Sequence, residues 1–512
     1  MPSPDPGPAT PAVLPTADAL VALRERLGEL DDLQQAAGLA GWDEQTKMPP
    51  GAAAARGEVL STLSRLAHAR LTDDDLHALL QQLSAATDLG DQDRRLVAAV
   101  ARDADRARRV PERLVADITR HTTTAQVAWQ EARAAGDYAP FRGPLEQHVA
   151  YRRELVACFP EAAHPYDVLL HNFEPDLTTE RVTAVFAQLR DGLVPLIRRI
   201  ADKPAPPALP GPFPVEQQRV LGMEIARAQG FDDDHWRLDD AIHPFAAALG
   251  SSDIRVTARY DDQTLTGLFA VMHEVGHGLY ERQAAPTLAR TTVGTGVSLG
   301  IHESQSRLWE NLVGRSEAFW SHWHPRAVEL FGAAALGGDD LAAFLKAINV
   351  VRPSLVRVEA DEATYSLHVI LRFELEVALM EGTLAVADLD AAWNTKTREL
   401  LGLDVPSPTV GVLQDIHWAY GELGYFPTYA IGNIVAAQLW TVIERDLTDL
   451  DADLAAGETS RLREWLREHV HRHGRLYSPT ELLQQITGSG LDAQPFLDQL
   501  TAKYSALYDL EA

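Results

Sequence analysis

Apolar residues recur every three or four positions through much of the chain, the spacing of amphipathic helices. The pattern predicts helices over residues 18–39, 53–70, 74–86, 91–109 and 111–135, where alanine, leucine, arginine and glutamate, all strong helix formers, dominate. Two stretches break the rule. Residues 203–214, Lys-Pro-Ala-Pro-Pro-Ala-Leu-Pro-Gly-Pro-Phe-Pro, cannot be helical, because proline lacks the N–H and restricts its predecessor. That stretch divides a helical N-terminal part, 17–203, from a part, 215–512, that carries the chemistry, both within one helical domain; its apolar residues suit a packed surface crossing. Residues 253–260, Asp-Ile-Arg-Val-Thr-Ala-Arg-Tyr, alternate polar and apolar, the signature of a half-buried strand. The expected class is mainly α.

Composition narrows the partners. Apolar residues make up 46% and charged residues 23% of 512, ordinary globular usage, so a large core is available. A net charge of −27 lacks the basic footprint that nucleic acid or an anionic membrane surface requires. No apolar run is long enough to span a bilayer. The leader, residues 1–16, has six prolines and no basic residue, unlike a secretory or transit peptide; it reads as disordered, and the protein as cytoplasmic. The lone Cys158 cannot build a cysteine metal site, so any metal must be held by histidines and carboxylates.

The strongest chemical signal is His273-Glu274-Val-Gly-His277. Histidines four apart share one face of a helix and suit two ligands of one ion, while Glu274 projects about 100° round from His273, within reach of a water on that ion. Given 18 histidines and 73 acidic residues, chance would produce about 0.09 such matches, so the motif carries weight. Gly276 lies inside this helix at a cost of about 1 kcal/mol relative to alanine, which points to close approach of another backbone or of substrate. A catalytic zinc needs a third protein ligand. Glu303 is the first choice, on a second helix starting 21 residues after His277, and His302 is the competitor. The glycines at 294, 296 and 300 do not fit a nucleotide loop.

Several further motifs share an order and spacing: His243-Pro-Phe, Asp253-x-Arg255-x-Thr257, His302-Glu303-Ser304, Arg357-x-x-Ala-Asp361 and Gly411-x-x-Gln414-Asp415-x-His417-Trp418, with Trp42-Asp43-x-x-Thr46-x-Met48-Pro49 near the start. With the His273–His277 motif, they resemble the Taq-type thermostable metallocarboxypeptidases over nearly the whole chain. The departures are Val356 where isoleucine is usual, and the extra leader. The resemblance implies a zincin-like helical fold with a deep central groove and a small sheet beside the active site. It implies one catalytic Zn²⁺ replaceable by Co²⁺, a homodimer, and stepwise release of C-terminal residues from peptides with a free C-terminus, broadly but poorly at proline.

On this basis Arg357 is expected to capture the terminal carboxylate, for which a planar guanidinium is suited. The structural alternative is an i,i+4 ion pair with Asp361 on one helix. Gln414, Asp415 and His417 would orient the arginine or the substrate. Tyr425, Tyr429 or His417 would supply the oxyanion donor. Arg255 joins the substrate-binding candidates from the 253–260 strand, which could pair with peptide through a free edge and whose polar side could equally face solvent. His243 would be positional. The rivals are a helical zinc endo- or oligopeptidase, which needs no carboxylate anchor, and a peptide-binding scaffold with a closed structural metal.

Overall fold

In the computed structural model, which describes residues 14–510, the amphipathic segments form the helices Thr16–Thr46, Ala53–Leu71, Asp74–Ser84, Asp91–Arg109 and Glu112–Ala135. The first runs on past residue 39 to Thr46, because its last turns bury Trp42. Asp73 starts the third by accepting from the Asp75 and Leu76 amides at 3.0 and 3.1 Å, satisfying donors that a helix start leaves unpaired. Of the leader, residues 1–13 lie outside the described residues, and Thr16 already begins a helix. No helix among the described residues is long and apolar enough to cross a membrane.

The backbone divides into two compact units. One comprises the residues up to Arg108 with Pro286–Gly294; the other is Arg109–Ala285 with the chain from Thr295 onward. Within the first unit, Arg290 binds Asp32 at 2.5 Å and Gln92 binds Thr287 at 3.0 Å, tying down the returning segment. Residues 203–214 separate nothing: they cross the second unit with Phe213 buried, the Gly211 amide donating to Ala335 and the Phe213 amide to Asp262. A proline-dense chain packs there because its few remaining N–H groups find acceptors.

The sheet has three strands, β1 Trp236–Asp240, β2 Ala246–Ala248 and β3 Ile254–Ala258, in the order β1-β3-β2. β3 pairs in parallel with β1 and antiparallel with β2. The alternating segment is therefore the central strand and offers no free edge to a peptide. Its polar side faces solvent only in part, Asp253 being half-exposed and Arg255 largely covered. Thr257 is fully buried, with its hydroxyl accepting from the Phe245 amide at 2.8 Å.

The sheet packs against the helix Thr266–Arg282, whose opposite side meets Leu299–Arg307. Both contacts require glycine. A Cβ on Gly276 would stand 2.8 Å from Gln305 O and Ser306 Cα, and one on Gly278 would overlap Trp236. Two backbones thus approach where the sequence placed a locally unfavourable residue.

This packing predicts opposite outcomes for two chemically identical changes. Gly276→Ala should lose about 1–3 kcal/mol, the usual cost of overpacking, because backbone atoms cannot step aside. Gly41→Ala, in a helix with nothing within 4 Å of the new methyl group, should gain about 0.5–1 kcal/mol. Denaturant midpoints of the two variants should move in opposite directions.

Candidate active site

His273 and His277 lie one turn apart on Thr266–Arg282, with ring centroids 4.8 Å apart. Glu303 reaches them from Leu299–Arg307: its Oε2 is 3.7 Å from His273 Nε2 and 3.5 Å from His277 Nε2. One donor atom from each of the three lies within 4.8 Å of the other two. The position of Glu303 is over-determined. Ser298 caps its helix, the buried Glu174 accepts from the Gly300 amide, and Gly432 on Pro427–Asp446 lets that helix pass where a Cβ would stand 2.5 Å from Glu303 Cγ.

Each imidazole is held from behind. His273 Nδ1 bonds Glu310 Oε2 at 2.9 Å; His277 Nδ1 bonds His302 Nδ1 at 2.6 Å, and His302 Nε2 bonds Glu281 Oε1 at 2.8 Å. The chain is consistent if His302 donates to Glu281 and accepts from His277, which leaves both ligand-side Nε2 lone pairs free. His302 therefore stands behind His277, with both of its ring nitrogens engaged. Two imidazole nitrogens and one carboxylate oxygen, oriented in this way, fit a divalent ion such as zinc.

Arg307 organises the carboxylates. Its Nε donates to Glu303 Oε1 at 2.7 Å and one terminal nitrogen to Glu310 Oε2 at 3.2 Å. Burial raises the affinity of Glu303 for a proton, yet Arg307 and then His273 outweigh it and hold the carboxyl well below its usual range. Glu274 is buried beside His273 without such a cation. Burial, with Glu303 and Glu310 adding to it and His273 opposing, pushes its carboxyl up to about 7. A carboxyl poised near neutrality suits proton transfer.

A second cluster surrounds Arg357, which is buried in a short 3₁₀ turn, Arg357–Glu359, and not on a helix with Asp361. Asp361 instead accepts from the Arg352, Ala363 and Thr364 amides, so the expected i,i+4 pair does not form. Arg357 pairs with Asp415, its Nε at 3.2 Å and a terminal nitrogen at 2.8 Å from Oδ1; its amide donates to Gln414 Oε1 at 2.9 Å. The other oxygen of Asp415 belongs to Arg372, at 2.8 and 2.5 Å. His417 Nε2 lies 3.2 Å from the Tyr429 hydroxyl, whose ring lies under Arg357 at 4.7 Å, and the Tyr425 and Tyr429 rings are 5.4 Å apart. Gln414, Asp415, His417 and Tyr429 thus gather round Arg357, Tyr429 among them although the sequence pointed to it only as an oxyanion donor.

Two candidates stand apart. Arg255 is engaged by Asp253, which directly precedes the strand, at 2.9 and 2.8 Å, because the alternation places both on one face. His243 is exposed on the β1–β2 connection and makes no hydrogen bond or ion pair among the described residues. Conversely, Arg307, Glu310, Glu281, Tyr365 and Arg372 belong to the site without having been singled out. Arg307 had a signal, since it stands four residues after Glu303 and three before Glu310.

With this geometry in place, comparison with known proteins is decisive. Residues 22–504 match the family profile described as carboxypeptidase Taq (M32) metallopeptidase. The chain belongs to that family. Thermostable carboxypeptidase 1 of Thermus thermophilus is 40% identical over 486 residues, 92% of this chain and 95% of that protein. Carboxypeptidase 1 of Bacillus subtilis is 35% identical over 489 residues, 94% and 97% of the two chains. The crystal structure of an M32 carboxypeptidase from Deinococcus radiodurans superposes with a TM-score of 0.94 at 40% identity, covering 96% of this chain and all of that one. The mainly helical carboxypeptidase Taq fold and the metallocarboxypeptidase class follow.

The two histidine supports make separable predictions. Removing either His302 or Glu310 by alanine substitution leaves all three donors in place but unfixes one imidazole, so affinity for zinc should fall by about 10–100-fold rather than vanish. Titration against a competing chelator measures it.

Proposed function

We propose that the chain removes amino acids one at a time from the free C-terminus of peptides, with broad specificity. The observation that carries this is a charge count. Arg357 and Arg372 share a single carboxylate, Asp415, in a buried cluster, while burial pushes His417 down to about 4 and His368 to about 3, leaving both neutral. Among the groups bonded to Asp415 one positive charge is left over, and Glu376, which also faces Arg372, is pushed up to about 7 by burial and offsets it only in part. A buried, uncompensated cation is costly, and a substrate's terminal carboxylate would neutralise it. An endopeptidase has no use for such a charge.

His273, His277 and Glu303 would hold zinc, with cobalt able to substitute. When bound, the ion supplies Lewis acidity, polarising the scissile carbonyl and acidifying a water molecule to a pKa of about 7. Glu274 accepts a proton from the attacking water at its carboxylate and returns it to the leaving amine. Arg357, oriented by Asp415 and Gln414, binds the terminal carboxylate. Tyr429, beside Arg357, Tyr425, packed on Tyr429, or His417 would be the donor for the developing oxyanion. The same reading takes a homodimer as the assembly and the cytoplasm as the location. Light scattering, and metal analysis of protein purified without added metal, test the assembly and the ion.

Glu274→Gln, near-isosteric and outside the donor triad, should keep its metal while turnover falls by about 10²–10⁴-fold. Metal analysis beside steady-state rates would refute the assignment if turnover were near normal. Glu303→Ala should lose metal and activity together.

Following the products of one peptide with a free and with an amidated C-terminus tests the exopeptidase reading. The free form should shorten by single residues, whereas internal fragments from both would favour the endopeptidase. Arg357→Ala should reduce activity on the free form by a factor corresponding to at least about 1.5–3 kcal/mol, one charge-assisted bond, and Arg357→Lys by less. Neither should much affect the amidated form. Because Arg372 still neutralises Asp415, the alanine variant should remain folded.

A further inference from the structure

Tyr365 opens the helix Tyr365–Glu381 and is buried. Its hydroxyl oxygen accepts from Arg357 at 2.9 Å, and the Arg307 guanidinium lies over its ring at 4.5 Å. Arg307 in turn holds Glu303 at 2.7 Å and Glu310 at 3.2 Å. One side chain therefore touches both the arginine that fixes a candidate metal ligand and the arginine read as the carboxylate anchor. It is a stiff link, having two side-chain torsions and a ring confined by the Tyr429 ring, 6.2 Å away edge to face. Burial pushes its phenol up, with Arg357 and Arg307 opposing, so it stays protonated at neutral pH.

Releasing one residue per turnover requires a fixed separation between the anchor and the centre that activates water, because each added residue lengthens an extended peptide by about 3.3–3.6 Å. We infer that Tyr365 is the positioning residue that sets this separation and with it the one-residue register of cleavage. The inference rests on the reading of Arg357 given above. The hydroxyl fixes the anchor, and the ring face fixes the arginine that holds Glu303. The two functions are separable by substitution.

Tyr365→Phe keeps the ring under Arg307 and removes the bond to Arg357. It should raise KM for a free-terminus peptide by about tenfold or more, the loss of one bond to a charged group, with kcat and metal content nearly unchanged and products still single residues. Tyr365→Leu removes the ring as well, and mass spectra of the products should then show dipeptides among the released fragments. If the phenylalanine variant moved KM by less than about twofold, or lost kcat with KM unchanged, Tyr365 would not set the register. A leucine variant that released only single residues would overturn the inference equally. Should the leucine variant fail to fold, the product masses of Tyr365→Met, which likewise loses the ring but fills more of its space, decide in its place. Arg357→Ala run in parallel separates the two levels. If it impairs free and amidated peptides alike, the reading of Arg357 fails; if it discriminates between them and the Tyr365 variants do not, only the inference on Tyr365 fails.

Discussion

Arg307, lying between two carboxylates, is the interaction on which the active site depends. Glu303 and Glu310 both face His273 in a poorly solvated region, and without an intervening cation their repulsion and desolvation would protonate one of them. With Arg307 in place both remain charged. Glu303 then offers one oxygen towards the histidines while Glu310 fixes the ring of His273. The same guanidinium rests on Tyr365, so the charge balance of the metal cradle and the placement of the second cluster share a component.

Around that arginine the site is built in two oppositely biased parts. The cradle collects carboxylates and imidazoles, ready for a cation. The Arg357 cluster has two arginines for one aspartate and is ready for an anion. Glu274, between no such partners, is left near neutrality by burial. Three carboxylates of one kind, Glu274, Glu303 and Glu310, thus differ in proton affinity because of what surrounds each.

The candidate metal motif was legible because its spacing is local: His273, Glu274 and His277 lie within five residues, and helical periodicity places them on adjacent faces. The amphipathic helices were legible for the same reason. Arg357 and Asp415 are 58 positions apart, and nothing in the neighbourhood of either indicates the other, so local spacing offered Asp361 as a false partner. Alternation in 253–260 correctly gave a strand but could not say that both edges would be covered. His302 and Glu303 are adjacent and equally able to bind metal; what separates them is the position of Glu281 behind His302, a tertiary fact. Glu310 was hidden by backbone geometry. After Arg307 the helix widens into a π turn, Leu308–Val313, closed by the Gly314 amide on Trp309 O, and this extra residue per turn shifts the face on which Glu310 emerges.

The route of the chain between the helices that carry His277 and Glu303 has a consequence for dissecting the protein. After His277 the backbone leaves the larger unit, contributes Pro286–Gly294 to the smaller one, and returns to supply Glu303. The smaller unit is thus not a detachable appendage joined by a single linker. Deleting residues before Arg109 would strip Arg290 and Thr287 of Asp32 and Gln92 and leave a frayed loop between the helices that carry His277 and Glu303. Such a chain cannot be divided into its two units by a single cut, because the smaller unit is built from two separate stretches of the backbone.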